Sequence, residues 1–143
     1  AAFFTTILRN KYNDEPIDSL MYLISAALGF SALENTFFLA KLIDSNLVTQ
    51  SVISGNMRFI GATLLHVASS ATIGVFMAFG FYKNKKLKKE FLFTGLLLAT
   101  ILHVIFNSLI INYDNNIFLI FSGVWVAIIT LLLIFERIKT IKN

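Results

Sequence analysis

The sequence lacks cysteine altogether, and among its 143 residues it has only two histidines and eight acidic residues. Without cysteine, disulfide bonds and thiolate metal sites are both excluded. Apolar residues predominate in the sequence: 57% of the residues are hydrophobic, whereas the share in soluble domains is near one half. The mean hydropathy is correspondingly high, at +0.76. This excess indicates a protein whose solvent is largely lipid.

Four segments are long and apolar enough to cross a membrane, since a transmembrane helix needs about 20 mostly apolar residues. Apolar residues surround each segment instead of forming one stripe, as lipid on all sides requires. The approximate spans are 20–42, 57–82, 91–111 and 117–135, joined by short connections at 44–56, 83–90 and 112–116. The run 1–8 resembles the end of a further helix. We therefore predict an all-α, polytopic membrane helical bundle. It has about four transmembrane helices plus the end of an upstream helix, in a single domain over 1–143 that is truncated at its N-terminus.

Lysine and arginine are distributed unevenly around these spans. If the four helices alternate in direction, ten of the twelve basic residues fall on one side: Arg9, Lys11, Lys83, Lys85, Lys86, Lys88, Lys89, Arg137, Lys139 and Lys142. The positive-inside rule then predicts a multi-pass protein of the cell membrane with both ends of this chain in the cytosol. The net charge of +4 reflects this topology, so we expect the lipid bilayer as a partner and no nucleic acid. The basic run 83–89 could also bind anionic lipid.

Polar side chains lie at a similar depth in three of the spans. At ~1.5 Å per residue, Glu34 and His66 lie roughly 24 Å from the cytosolic face, and His103 roughly 20 Å. Asn107 follows His103 by one turn on the same helix face. Arg58 precedes His66 by two turns. An unpaired carboxylate at such depth costs ~3 kcal/mol or more, so we expect Glu34 to be paired, protonated or in a water-filled cavity.

Several chemistries are open to this group of residues. Two imidazoles and a carboxylate suit Zn²⁺ with an open position for water, so His66, His103 and Glu34 could hold a metal ion. The same side chains could instead perform acid–base chemistry without metal. The two histidines could also be axial ligands of a haem, and a Glu–His relay could serve a proton or metal-ion transporter. Four helices without a repeat are untypical of transporters. The HExxH zinc-protease motif is absent from the sequence.

Three blocks of the sequence resemble the PrsW family of intramembrane proteases and, more widely, the CAAX-processing endopeptidases and bacteriocin-immunity proteins. They are NDEPIDSLMYLISAALGFSALENTFF (13–38), RFIGATLLHVASSATIG (58–74) and HVIFNS (103–108). The resemblance covers nearly the whole chain. It implies a multi-helix membrane fold in a bacterial cell membrane. It also implies hydrolysis of a peptide bond in a membrane protein or peptide substrate, such as an anti-sigma factor, near the outer membrane face.

The same resemblance implies roles for individual residues. His66, His103 and Asn107 match the family's catalytic blocks. The two histidines would bind Zn²⁺ or, without a cofactor, orient water, and Asn107 would stabilise an oxyanion. Glu34 would support a histidine as a further catalytic residue or a metal ligand. Arg58 would bind the substrate backbone.

Departures from the family pattern lead to an alternative. The paired glutamates of the family's EExxK motif would fall before Ala1, so this chain alone is expected to be inactive. The DGxxY element has Ser19 in place of glycine, and the ENxxY element ends in Phe38. The alternative is a non-catalytic relative, such as a chaperone-like or immunity membrane protein.

Overall fold

Helices account for nearly all of the chain that the structure, a computed structural model, describes. It describes residues 13–44, 48–112 and 117–140, with side chains over 13–41, 60–109 and 121–140. The four helices are α1 (Pro16–Asp44), α2 (Val48–Phe79), α3 (Lys85–Asn112) and α4 (Ile117–Ile138). Each contains a stretch long and apolar enough to cross a membrane. The predicted all-α fold with four membrane-length helices is therefore confirmed, and no strand occurs within the described ranges.

Three of the helices begin earlier than the predicted spans, and the first of them begins at Pro16, not at 20. The second begins at Val48, inside the predicted connection 44–56, although its membrane-length stretch is only Ile60–Phe79. The third begins at Lys85, inside the basic run 83–90. Hydropathy detects the part of a helix that fits lipid, whereas the backbone hydrogen bonds continue into the polar region beyond it.

Both helix starts that are described in detail carry side-chain caps. At the start of α1, the Asp18 carboxylate accepts hydrogen bonds from the backbone N–H groups of Glu15, at 2.8 Å, and Asp14, at 3.0 Å. Pro16 occupies the first helical position, where its missing N–H is not needed. At the start of α3, the Asn84 side chain accepts from the Leu87 N–H at 2.9 Å. These caps satisfy amide groups that the first turn leaves free.

The second helix is the common partner of the other three. It packs along α1, α3 and α4, while α1 and α3 scarcely touch each other. Glycine permits the closest approaches: a Cβ atom on Gly74 would lie 2.6 Å from the Leu20 Cα of α1, and one on Gly95 would lie 2.9 Å from the Phe76 Cβ of α2. Small residues let helix backbones meet at such distances within a membrane.

The bundle is built differently at its two ends. One end, which we call the close-packed half, contains the two glycine contacts and a cluster of buried residues: Leu20, Ala71, Val75, Ala78 and Ile138. The other end, which we call the polar half, contains Glu34, His66, His103 and Asn107 over a smaller apolar cluster of Leu65, Phe106 and Val124. Large apolar side chains cover the outside of both halves, as expected of surfaces that face lipid.

Candidate functional site

The centre of the polar half is a hydrogen bond between α1 and α2. Glu34 Oε2 lies 2.8 Å from His66 Nε2, and the two side chains are 36% and 18% exposed. Glu34 is therefore paired, which is one of the three states expected of a carboxylate at this depth. The residues sit 32 positions apart in sequence, so the antiparallel packing of the two helices brings them together.

His66 stands on α2 between two stripes that meet different helices. Thr63 and Gly74 lie on the stripe that contacts α1, and Ile73 and Phe76 lie on the stripe that contacts α3. At ~100° per residue, His66 falls between these stripes. Since α1 and α3 scarcely touch, its imidazole points into a groove between them, which we call the α1–α3 groove.

The third helix supplies the second imidazole and an amide. The ring centres of His66 and His103 are 5.4 Å apart, with the ring planes tilted by 48°. One turn further along α3, the Asn107 side-chain nitrogen lies 3.2 Å from His103 Nδ1. Glu34, His66, His103 and Asn107 thus lie side by side across α1, α2 and α3, as their matched depths in the sequence suggested.

Three further residues complete the surroundings, and Asn35 among them belongs to the ENxxY element of the sequence. The Phe30 ring meets the His66 ring edge-on, with centres 5.1 Å apart. The Asn35 side chain, 5% exposed, donates from Nδ2 to Thr63 Oγ1 at 3.3 Å and ties α1 to α2 beside the Glu34–His66 bond. Phe30 and Thr63 resemble dozens of other apolar or small residues, and only their placement identifies them.

Two buried hydroxyl groups border the site on the side of the close-packed half. Ser31 and Ser69 are 2% and 9% exposed, and among the described residues neither Oγ has a hydrogen-bond partner. Ser31 precedes Glu34 by one turn on α1, and Ser69 follows His66 by one turn on α2. Both hydroxyls therefore lie one turn from the Glu34–His66 bond, on the same side of it.

The donor set fits a metal ion only in part. Two imidazoles bound to one tetrahedral zinc ion have ring centres roughly 5 Å apart, given Zn–N distances of about 2 Å. The separation of 5.4 Å between His66 and His103 agrees with this. Within the described side chains, however, no three His, Asp or Glu residues are grouped as metal ligands. Glu34 could be the third only by exchanging its bond to His66 Nε2 for a bond to the ion.

Two further predictions have different outcomes. Arg58, the predicted substrate-binding residue, lies on α2 two turns before His66, but its side chain is outside those described. For the haem alternative, the bond to Glu34 occupies His66 Nε2, so Nδ1 is the ring nitrogen of His66 that could bind the iron.

The fold and site together define a class: a polytopic helical membrane protein that gathers a carboxylate, two imidazoles and an amide at membrane depth. Comparison with known proteins narrows this class. A family model described as PrsW family intramembrane metalloprotease matches residues 1–134, and the chain belongs to this family. The resemblance predicted from the three sequence blocks is therefore confirmed.

Two curated relatives are similar over most of this chain. A protein named Protease PrsW from Clostridioides difficile (strain 630) is 30% identical over 116 residues, which cover 80% of this chain and 47% of the relative. Another Protease PrsW, from Geobacillus kaustophilus (strain HTA426), is 31% identical over 105 residues, covering 71% and 41% respectively. The chain thus spans less than half the length of these relatives. No solved structure matches it.

Proposed function

We propose that this chain is the histidine-bearing part of an intramembrane endopeptidase that hydrolyses a peptide bond in a membrane-associated protein or peptide. The observation that carries the proposal is the contiguous set of Glu34, His66, His103 and Asn107 across three membrane-length helices. An anti-sigma factor is the substrate that the family resemblance suggests. Under the positive-inside topology, cleavage takes place near the outer membrane face.

Glu34 positions His66 in this proposal. An ionised carboxylate can only accept hydrogen bonds, so the proton of a neutral His66 lies on Nε2, and Nδ1 keeps its lone pair. The 2.8 Å bond also fixes the ring against rotation. A histidine held in one tautomer by a carboxylate is the usual arrangement for a general base or a metal ligand. Glu34 thus acts through His66 and is a positioning residue.

Asn107 determines in a similar way what His103 can do. When the Asn107 amide nitrogen donates to Nδ1, as its 3.2 Å contact indicates, a neutral His103 carries its proton on Nε2. That N–H can donate to the oxyanion that forms when water attacks a peptide carbonyl. If the amide were turned, its oxygen would accept from Nδ1–H and leave Nε2 able to bind a metal ion.

Zinc is the candidate cofactor, since the family is described as one of metalloproteases. His66 and His103 would hold it, with Glu34 as the candidate third ligand, and the ion would polarise the attacking water and the peptide carbonyl. With or without a metal ion, the chain's own residues contribute two oriented imidazoles in a site of low dielectric.

A substitution at Asn107 distinguishes the two proposed roles of His103, oxyanion stabilisation and metal binding. In Asn107→Asp the carboxylate can only accept, so it places the proton on Nδ1 and leaves Nε2 without one. If His103 stabilises the oxyanion, cleavage should fall roughly 100-fold. A rate close to that of wild type, together with inhibition by a zinc chelator, would assign His103 to the metal instead. The measurement is the initial rate for the full-length protein in lipid vesicles.

The test of the function itself is cleavage of a single-pass membrane substrate, such as an anti-sigma factor, by the purified full-length protein. We expect wild type to cut it and His103→Ala to be inactive. Phe93→Ala, on the lipid-facing surface of α3 in the close-packed half, is the matched control and should remain active. Normal cleavage by His103→Ala would contradict the assignment. A wild-type protein that cuts nothing would favour the non-catalytic relative.

A further inference from the structure

The described residues close the site on several sides and leave it open along one groove. Glu34 covers the Nε2 edge of His66, and the His103 ring lies 5.4 Å away across the groove. Along α1 and α2, the Asn35–Thr63 hydrogen bond on one side and the Leu20–Gly74 contact on the other prevent entry between these helices. Among the described residues, α1 and α3 scarcely touch, so the α1–α3 groove is an approach that these residues leave open.

The groove has two chemically different walls. The α1 wall carries three exposed apolar side chains at the spacing of one helix face, which we call the apolar strip. They are Phe30, Leu33 and Phe37, with exposed fractions of 57%, 56% and 67%. Across from them lie the imidazole of His103 and the exposed amide of Asn107. A lipid acyl chain cannot form hydrogen bonds with the polar wall. An extended peptide with apolar side chains suits both walls, because its backbone carbonyls and amides can pair with polar groups while its side chains lie on the apolar strip.

Phe30 is the residue of the apolar strip that contacts a proposed catalytic side chain, His66. Its ring meets the His66 ring edge-on at 5.1 Å, yet 57% of the residue is exposed. The ring therefore contacts the imidazole with one edge, while the rest of its surface is free for contact with lipid or with a bound peptide. Any side chain of a bound peptide next to the bond over His66 therefore has to share space with the Phe30 ring.

We propose that Phe30 is the specificity-determining residue of the site: it forms the wall that limits the size of the substrate side chain beside the cleaved bond. The inference rests on the proposed peptidase function, and it takes the substrate to be an apolar segment that reaches the site from the bilayer. Removing the ring should open room for a larger side chain, and enlarging it should exclude all but small ones.

The first experiment measures kcat/KM of the full-length protein on synthetic single-pass peptides. Wild type identifies the cleaved bond by mass spectrometry, and the residue before or after that bond is then varied among Ala, Leu, Phe and Trp. For Phe30→Ala, the ratio of kcat/KM for Trp over Ala should rise by about tenfold or more, and for Phe30→Trp it should fall. Phe93→Ala, 69% exposed on α3, is the matched control and should leave the ratio unchanged.

The second experiment does not depend on catalysis. A photoreactive phenylalanine analogue replaces Phe30 or Phe93 in an inactive His103→Ala background, and the same apolar peptide is added in vesicles. We expect a peptide adduct from position 30 and only lipid adducts from position 93. Equal ratios in wild type and Phe30→Ala, or lipid adducts alone at position 30, would overturn the role of Phe30. A wild-type protein that cleaves no peptide but is crosslinked at position 30 would reject the peptidase function while retaining the binding groove.

Discussion

The close-packed half and the polar half are built from the same helices, yet different forces hold them. In the close-packed half, α1 and α2 meet at Gly74, where only the absence of a side chain permits the approach of Leu20. In the polar half, the same two helices are joined by hydrogen bonds through Glu34 and Asn35. Lipid supplies little hydrophobic force between helices, so van der Waals contact and polar bonds must do so. Stability and chemistry are therefore separated along the helix axis.

The largest expected effect is a loss of folding in the close-packed half. In Gly74→Val, the new Cβ atom would lie 2.6 Å from the Leu20 Cα, a backbone atom that cannot move without shifting α1. We expect destabilisation by about 3 kcal/mol, measured by unfolding in mixed detergent micelles. Gly29→Ala is the matched control, because nothing lies within 4 Å of its Cβ position. It should gain about 0.5–1 kcal/mol from helix propensity. Equal losses in both variants would show that the close approach is not what holds this half together.

The next effect concerns chemistry in the polar half. Glu34→Gln preserves the shape of the side chain but removes the carboxylate that is proposed to hold the His66 proton on Nε2. Substitution of a residue that orients a functional histidine typically costs roughly 10- to 100-fold in activity, which we expect here. The unfolding midpoint should change little, in contrast to Gly74→Val. A variant as active as wild type would remove Glu34 from the site.

A smaller effect is expected at the hydrogen bond that joins the helices beside the site. Asn35→Ala, Thr63→Ala and the double variant form a thermodynamic cycle around the 3.3 Å contact. Interhelical hydrogen bonds in membranes contribute about 0.6 kcal/mol on average, so the coupling energy in unfolding measurements should be near this value. Additive single effects would mean that the contact contributes nothing to the packing of the two helices.

The smallest effect is expected at Ser31, and its sign is informative. Its hydroxyl is 2% exposed and has no partner among the described residues. Ser31→Ala should therefore leave stability unchanged or raise it by about 0.5 kcal/mol, the difference in helix propensity. Ser25→Ala is the control, since the Ser25 hydroxyl donates to the Met21 carbonyl oxygen at 2.8 Å. A clear loss of stability in Ser31→Ala alone would indicate a polar partner in the folded protein.

The sequence predicted the four helices and placed Glu34, His66 and His103 at one depth, because rare polar residues within apolar runs are easily recognised. It could not predict the start of α2 at Val48, where polar residues continue the helix outside the apolar span. Nor could it predict that Phe30 meets His66 or that Gly74 lies against Leu20, because both contacts depend on the rotation of one helix against another. Hydropathy measures depth along a helix and carries no information about its facing direction.

The position of α2 between the other three helices has a consequence for how such a chain can change. One residue inserted between His66 and Gly74 would turn these two residues by roughly 100° relative to each other. If Gly74 stayed against α1, the His66 imidazole would turn out of the α1–α3 groove. If His66 stayed in the groove, Gly74 would turn away from α1, and a residue with a side chain would take its place against Leu20. The number of residues in this segment is therefore fixed by two contacts at once, those of His66 and Gly74. A related chain that gained or lost a single residue there would dismantle either the packing or the site.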